Sequence, residues 1–557
     1  MIPVAANAQS PIDAYQISQP DLKGTARFMS MGGAFGALGA DLSSLSQNPA
    51  GIGVYRSNEI GFTLDLDLQS SSSEYMGSKN SKHNTKFYLN NIGGVATMRL
   101  NNKTLPNLNF GFTYNKGASF NRAYRGDIPS LKTSLSNYIA SIANSYGLTA
   151  DALGSTDNYD PYIDSDVPWA TILGYDSYLI SPDGYQGVPN WTGQFGSGDK
   201  IVGNDRIPFK TSGSGYFDVR ESGSLDEYNI ALGGNIANVL YWGMNFDITS
   251  LNYNVSALWG ENLKDAIVYN PNVDDLQIMD SRWNLSNIYS LSGTGFNYQL
   301  GFIVKPIQEL RLGFAFHTPT YYNLTEKYLP SEVNYNYPFM DSPDYAVTND
   351  DVSTYNKVNF QTPWKIIVSA AGVIGTKAII SVDYEWNGTR NMKYSQSNSW
   401  DWGYDGPDYD WDWGYDYYSS SVPTPEEDAN SVIDVVYRNT NTIRVGAEYR
   451  ILPELSLRAG YNWTSSPVTK SAKDGQDNIP SNGARSFYRL DNSTQYVTAG
   501  LGFHKNGWYL DAAYVWKHMT SNYYPFAPNP RDVAAEMINP KLTFNNSQIV
   551  LSAGYRF

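Results

Sequence analysis

Phe296-Asn297-Tyr298-Gln299-Leu300-Gly301-Phe302-Ile303-Val304-Lys305, a turn at Pro306, and then Leu310-Arg311-Leu312-Gly313-Phe314-Ala315-Phe316 place an apolar residue at every second position. Phe296, Tyr298, Leu300, Phe302 and Val304 face one way, and Asn297, Gln299 and Lys305 the other. A period of two marks a strand with one greasy and one polar face. The short turn predicts that the two runs pair as a hairpin.

The same alternation recurs on both sides. It appears at Ile60–Leu68, Ile92–Leu100, Leu108–Tyr114, Tyr228–Leu232 and Leu240–Ile248. Towards the C-terminus it returns at Trp364–Ala370, Ala378–Trp386, Ile443–Tyr449, Leu455–Trp463, Val497–Phe503, Trp508–Trp516 and Ile549–Phe557. This gives about fourteen strands, joined alternately by short turns and long stretches, as in bacterial outer-membrane barrels. A soluble carbohydrate-binding sandwich would also be aromatic-rich, but it would not keep that asymmetry. The predicted fold is all-β: a closed antiparallel transmembrane barrel.

Composition agrees. Of 557 residues, 44 are Tyr, 14 Trp and 22 Phe, a surplus that aromatic girdles at two bilayer interfaces would use. No apolar run reaches the length of a transmembrane helix, which says nothing about a barrel. The net charge of −15 argues against nucleic acid as a partner. Cysteine is absent, and with it disulfides and thiolate chemistry. Asp247, Arg311, Asp383, Glu385, Arg444, Glu448, Arg458 and Asp511 all fall on the polar face, where a lumen accepts them. Facing lipid, each would cost up to about 4 kcal/mol.

The N-terminal part reads differently. Ala6-Asn7-Ala8 before Gln9 looks like a signal-peptide cleavage site, so residues 1–9 are expected to be the remnant of a longer precursor's leader. Residues 10–57 are small-residue-rich, with Gly32, Gly33, Gly36, Gly39, Gly51 and Gly53, and poor in strand formers. They are expected to form a compact plug inside the barrel of residues 58–557. Long extracellular loops are expected near 124–227, 255–292, 323–356, 390–436, 466–493 and 520–545.

Within the first loop, Ile128–Leu148 carries Leu131, Leu135, Tyr138, Ile139 and Ile142 at helical spacing, with Pro129 suited to a first turn. That apolar face either caps a ligand groove or packs on the barrel rim. Trp400-Asp401-Trp402-Gly403-Tyr404-Asp405 is echoed at Trp411–Asp416, and Asp408, Asp410 and Asp412 imitate a calcium loop. The glycine comes one place late and no Glu closes the loop, so the pattern fails. His83, His317, His504 and His518 are scattered, and no nucleophile elbow, P-loop or dinucleotide fingerprint occurs. No enzyme activity, metal or cofactor is expected.

Gly24-Thr25-Ala26-Arg27, Met31-Gly32-Gly33-Ala34, Asp41 and Asn48-Pro49-Ala50 together resemble the N-terminal hatch of the FadL family of outer-membrane channels for hydrophobic substrates. In that family an Asn-Pro-Ala segment ends the hatch just before the first of fourteen strands. The resemblance implies a multi-pass protein of the Gram-negative outer membrane that passively admits fatty-acid-like or aromatic molecules. Extracellular loops would capture the ligand, and release beside the hatch would be lateral into lipid, with no nucleotide. Hatch and gating roles would fall to Asn48, Pro49, Ala50, Gly32, Gly33 and Asp41. The family's kinked third strand would correspond to Leu108–Phe120, with Gly111 and Gly117 allowing the bend. Ser552–Phe557 resembles the C-terminal signal read by the barrel assembly machinery. A second reading is a barrel of the same type that docks a protein partner at its extracellular loops, within a secretion or assembly complex. An outer-membrane hydrolase is a third.

Overall fold

The computed structural model describes residues 11–557 apart from 101, 163, 166, 183–189, 203–204, 329–330, 340–343, 348–353, 397–424, 478, 480–483 and 529–536. The leader remnant and the Trp/Asp repeat lie outside the described residues.

Fourteen antiparallel strands close a barrel. Three matter most below: β1 (Glu59–Tyr75), β2 (Ser78–Arg99) and β3 (Asn107–Ser119). The wall continues through Ser212–Ile236, Leu240–Asn270, Asp275–Ile307, Leu310–His317, Lys365–Ile374, Ala378–Asn387, Thr440–Leu452, Leu455–Thr464, Tyr488–Lys505, Trp508–Tyr524 and Lys541–Arg556. The last of these pairs with β1 from Glu59 opposite Arg556 to Glu74 opposite Lys541, so the sheet has no free edge.

Its two faces are inverted relative to a soluble protein. On β1, Ile60, Phe62 and Leu68 are exposed while Thr63, Asp65 and Asp67 are buried. Exposed Phe110, Phe112, Phe302, Phe314, Leu501 and Leu551 continue the outer apolar belt. Lipid is the solvent in which such a belt is stable.

Several expected loops are strand. Leu240–Asn270 and Asp275–Ile307 run 31 and 33 residues, so most of 255–292 is a paired hairpin rather than a loop. About ten residues suffice to cross the bilayer. The remainder projects beyond the lipid, where no outward face has to be apolar and the alternation inverts: Leu251, Tyr253, Val255, Ala257 and Trp259 are buried while Asn252 and Ser256 are exposed. For the same reason β2 begins at Ser78, well before Ile92: Ser78-Lys79-Asn80-Ser81-Lys82-His83-Asn84 is polar on both faces. Both ends of 124–227 are strand too, since Arg122–Ile128 pairs with Gly215–Glu221. Tyr321–Tyr328 pairs with Thr354–Gln361 across the two ends of 323–356. The segments 390–436 and 466–493 hold the helices Pro425–Val436 and Lys470–Lys473, and strands enter 520–545 from both sides.

The helix expected from Ile128 is shorter, Leu135–Ser145. Ser134 caps it by accepting from Ser136 N–H at 3.0 Å, a stronger start than Pro129 without a cap.

Candidate functional site

Residues 11–57 occupy the lumen. Three turns of this hatch are each capped by a side chain. Thr25 caps Ala26–Ser30, Asp41 caps Leu42–Ser46 and Asn48 caps Pro49–Val54. The caps are linked, because Thr25 Oγ1 donates to Asp41 at 2.8 Å and Asn48 Nδ2 donates to Gly36 O at 2.6 Å. Gly32 and Gly33 turn the backbone at φ +64° and +76°, where a side chain would be strained.

Wall and hatch touch closely. A Cβ on Gly301 would collide with Asn48 Oδ1, and one on Gly243 with Pro49 O. These inward strand glycines were not singled out from sequence, although glycine inside a strand is itself a sign of close backbone approach.

Seven of the eight inward charges meet the hatch or one another, and Asp247 meets a neighbouring strand. Asp383 accepts from Gly36 N–H and Gln47 Nε2, both at 3.0 Å, and Arg311 donates to Leu38 O at 2.8 Å. Glu448 joins Arg27 of the hatch (3.2 Å) to Arg458 (2.7 Å), which also holds Asp511 at 2.5 Å. Arg444 pairs with Glu385 at 2.7 Å, and Asp247 accepts from Asn297 at 2.8 Å. Lys23 of the hatch pairs with buried Asp65 at 2.5 Å.

Beside this contact lies a cavity of about 200 Å³. Leu22, Phe28 and Ile367 give it apolar surface; Asp247, Lys365 and Arg122 give it charge.

The wall changes at the same level. Pairing of β2 with β3 ends at Asn91 opposite Asn115. Gly117 then sits in a bulge between Lys116 and Ala118, and its carbonyl accepts the Asp21 N–H of the hatch at 2.8 Å. Beyond the bulge, Arg122–Ile128 crosses the inner face of β1, where Ser71 Oγ donates to Ala123 O and Ser73 Oγ to Arg125 O. Gly111 lies in regular pairing with Val95 and Ala231.

At the end of the barrel that carries the long connections, Leu135 and Ile139 are buried, Ile139 against Gly174, while Tyr138 stacks on Phe526 at 5.8 Å. Leu131 is buried with them and Ile142 half-buried. In the helix Trp169–Asp176, burial pushes the Asp176 carboxyl up to about 6, against the lowering effect of the Tyr162 hydroxyl.

Residues 239–522 match the model of the outer membrane protein transport protein family, OMPP1/FadL/TodX. That is more than half of the chain. The protein belongs to this family. Its members are transport proteins, and this one is a β-barrel of the bacterial outer membrane. Among solved structures, a FadL homologue of Pseudomonas aeruginosa aligns with 97% of this chain and all of its own, at 12% identity and a TM-score of 0.50. The toluene transporter TodX of P. putida aligns with 96% of this chain and 99% of its own, at 12% identity and a TM-score of 0.48. No curated protein matches the chain.

Proposed function

We propose that this family member is a passive channel for fatty-acid-like amphiphiles. The cavity beside the hatch holds the ligand, and the gap between β2 and β3 releases it laterally into the bilayer. The observation that carries this reading is that the cavity reaches the stretch where the wall stops pairing: Lys116, Gly117 and Ala118 line the one and form the other.

The lining favours an amphiphile over a plain hydrocarbon. A tail gains by leaving water for Leu22, Phe28 and Ile367. Charged groups give a hydrocarbon no such gain and cost free energy to desolvate. Lys365 lines the cavity and is in no ion pair among the described residues, which suits an anionic head group. Asn48, Pro49, Ala50, Gly32, Gly33 and Asp41 close the lumen, so that the ligand leaves sideways and small solutes do not leak.

The test is uptake by proteoliposomes of a labelled long-chain fatty acid and of labelled toluene. Saturable uptake of the acid, lost in Lys365→Glu, supports the reading. Uptake of neither compound above empty vesicles overturns it, and a stably bound protein in such preparations would favour the docking reading instead.

A further inference from the structure

Above the Asn91–Asn115 rung, no backbone pairing joins β2 to β3 among the described residues, and side chains fill the seam. Tyr88 of β2 is central. Its hydroxyl lies 2.7 Å from Ser119 Oγ and accepts from Asn121 Nδ2 at 3.0 Å, so it bridges to the far lip. Lys23 Nζ and Lys116 Nζ each stand 5.3 Å from the centre of its ring. Both ammonium groups are anchored elsewhere, Lys23 on Asp65 and Gln548 and Lys116 on Asp226. The ring is therefore attracted to two fixed cations through its face.

One of those cations belongs to the hatch, and its neighbours in sequence also hold the seam. Asp21 N–H bonds to the Gly117 carbonyl at the β3 bulge. Gly24 O accepts from Asn90 Nδ2 at 2.9 Å, where β2 has its own bulge opposite Thr63 and Leu64. So three hatch residues within 21–24, Asp21, Lys23 and Gly24, grip both lips. Among the described residues the hydrogen bonds and ring contacts of the Tyr88 side chain are polar or ring-to-cation, the kind that a ligand's own polar head can replace.

We propose that Tyr88 is the gate of the lateral seam and that Lys23 latches it. Withdrawal of residues 21–24 and swinging of the Tyr88 ring are then one event, which ties hatch displacement to wall opening. This rests on the lateral-release reading above and names the residue that controls it.

The chain has no cysteine, so introduced thiols report without background. The experiment uses the full-length Tyr88→Cys/Ser119→Cys variant in phosphatidylcholine vesicles, bridged by a short thiosulfonate cross-linker that reducing agent cleaves. An anthroyloxy-labelled stearic acid serves as probe, with binding read by its emission and release by transfer to the bilayer. Bridging is expected to leave binding in place and bring release down to the rate of protein-free vesicles, with recovery on reduction. Tyr88→Ala is expected to release the probe several-fold faster than wild type, and Tyr88→Phe by a smaller factor. Comparing the same folded sample before and after reduction removes any effect of the substitutions on folding. Release that persists at the reduced rate through the bridged seam overturns the gate and leaves the channel reading standing. Absence of probe binding to wild type overturns both.

Discussion

The backbone N–H of Asp21 meets the carbonyl oxygen of Gly117 across 2.8 Å. That bond joins the hatch to the one place on β3 where the ladder slips by a residue. Bulges redirect a strand and end its pairing. Here the freed carbonyl has a hatch partner, so the break in the wall and the position of the hatch are a single structural fact.

Removing the Lys23 ammonium leaves Asp65 buried and uncompensated, since both side chains are almost fully enclosed. Lys23→Ala is expected to cost about 3–5 kcal/mol, whereas Lys23→Met with Asp65→Leu is expected to be far milder. Heat-modifiable gel mobility of the refolded barrels orders the three proteins.

Gly301→Val drives a side chain into Asn48 Oδ1 and the Pro49 ring. The barrel is expected to assemble while the hatch end is displaced. Planar-bilayer recordings would then show higher small-ion conductance than wild type, and unchanged conductance would contradict the close packing.

Asn48→Ala removes the cap on Ala50 N–H and the bond to Gly36 O. Loss of an N-cap costs about 1 kcal/mol. Hydrogen exchange is expected to speed up in residues 42–54 and not in the wall strands.

The Asp176 carboxyl is raised to about 6 by burial and, more weakly, by the nearby Asp160 carboxylate. A carboxyl raised on folding stabilises most when protonated. Its contribution is complete below the unfolded value near 4 and is lost as pH rises through about 6. Exchange in Trp169–Asp176, corrected for intrinsic rate, is expected to be faster at about pH 7 than at about pH 4. Asp176→Asn should flatten that dependence.

The wall was legible because bilayer strands must alternate: Phe296 to Phe316 cannot be read as helix. Beyond the bilayer no outward face has to be apolar. The outer half of Leu240–Asn270 turns Asn252, Asn254 and Ser256 outward while Leu251, Tyr253, Val255, Ala257 and Trp259 are buried, the reverse of the pattern that marks the wall. The hatch was legible from its glycines and Asn48-Pro49-Ala50. Tyr88 was not, because one tyrosine in a polar run looks like any other until the third strand leaves its side. Gly117 differed from Gly111 only through a register shift that arises between strands, not within one.

The most direct measurement is mass spectrometry of amphiphiles retained by the protein in mild detergent, wild type against Ala118→Trp. Ala118 is buried and lines the cavity, so the indole occupies the ligand's volume. Wild type is expected to retain fatty acids or similar anionic amphiphiles, and the variant, folded by gel mobility, to have lost them. Equal amounts in both proteins, or none in wild type, would contradict a ligand site beside the hatch.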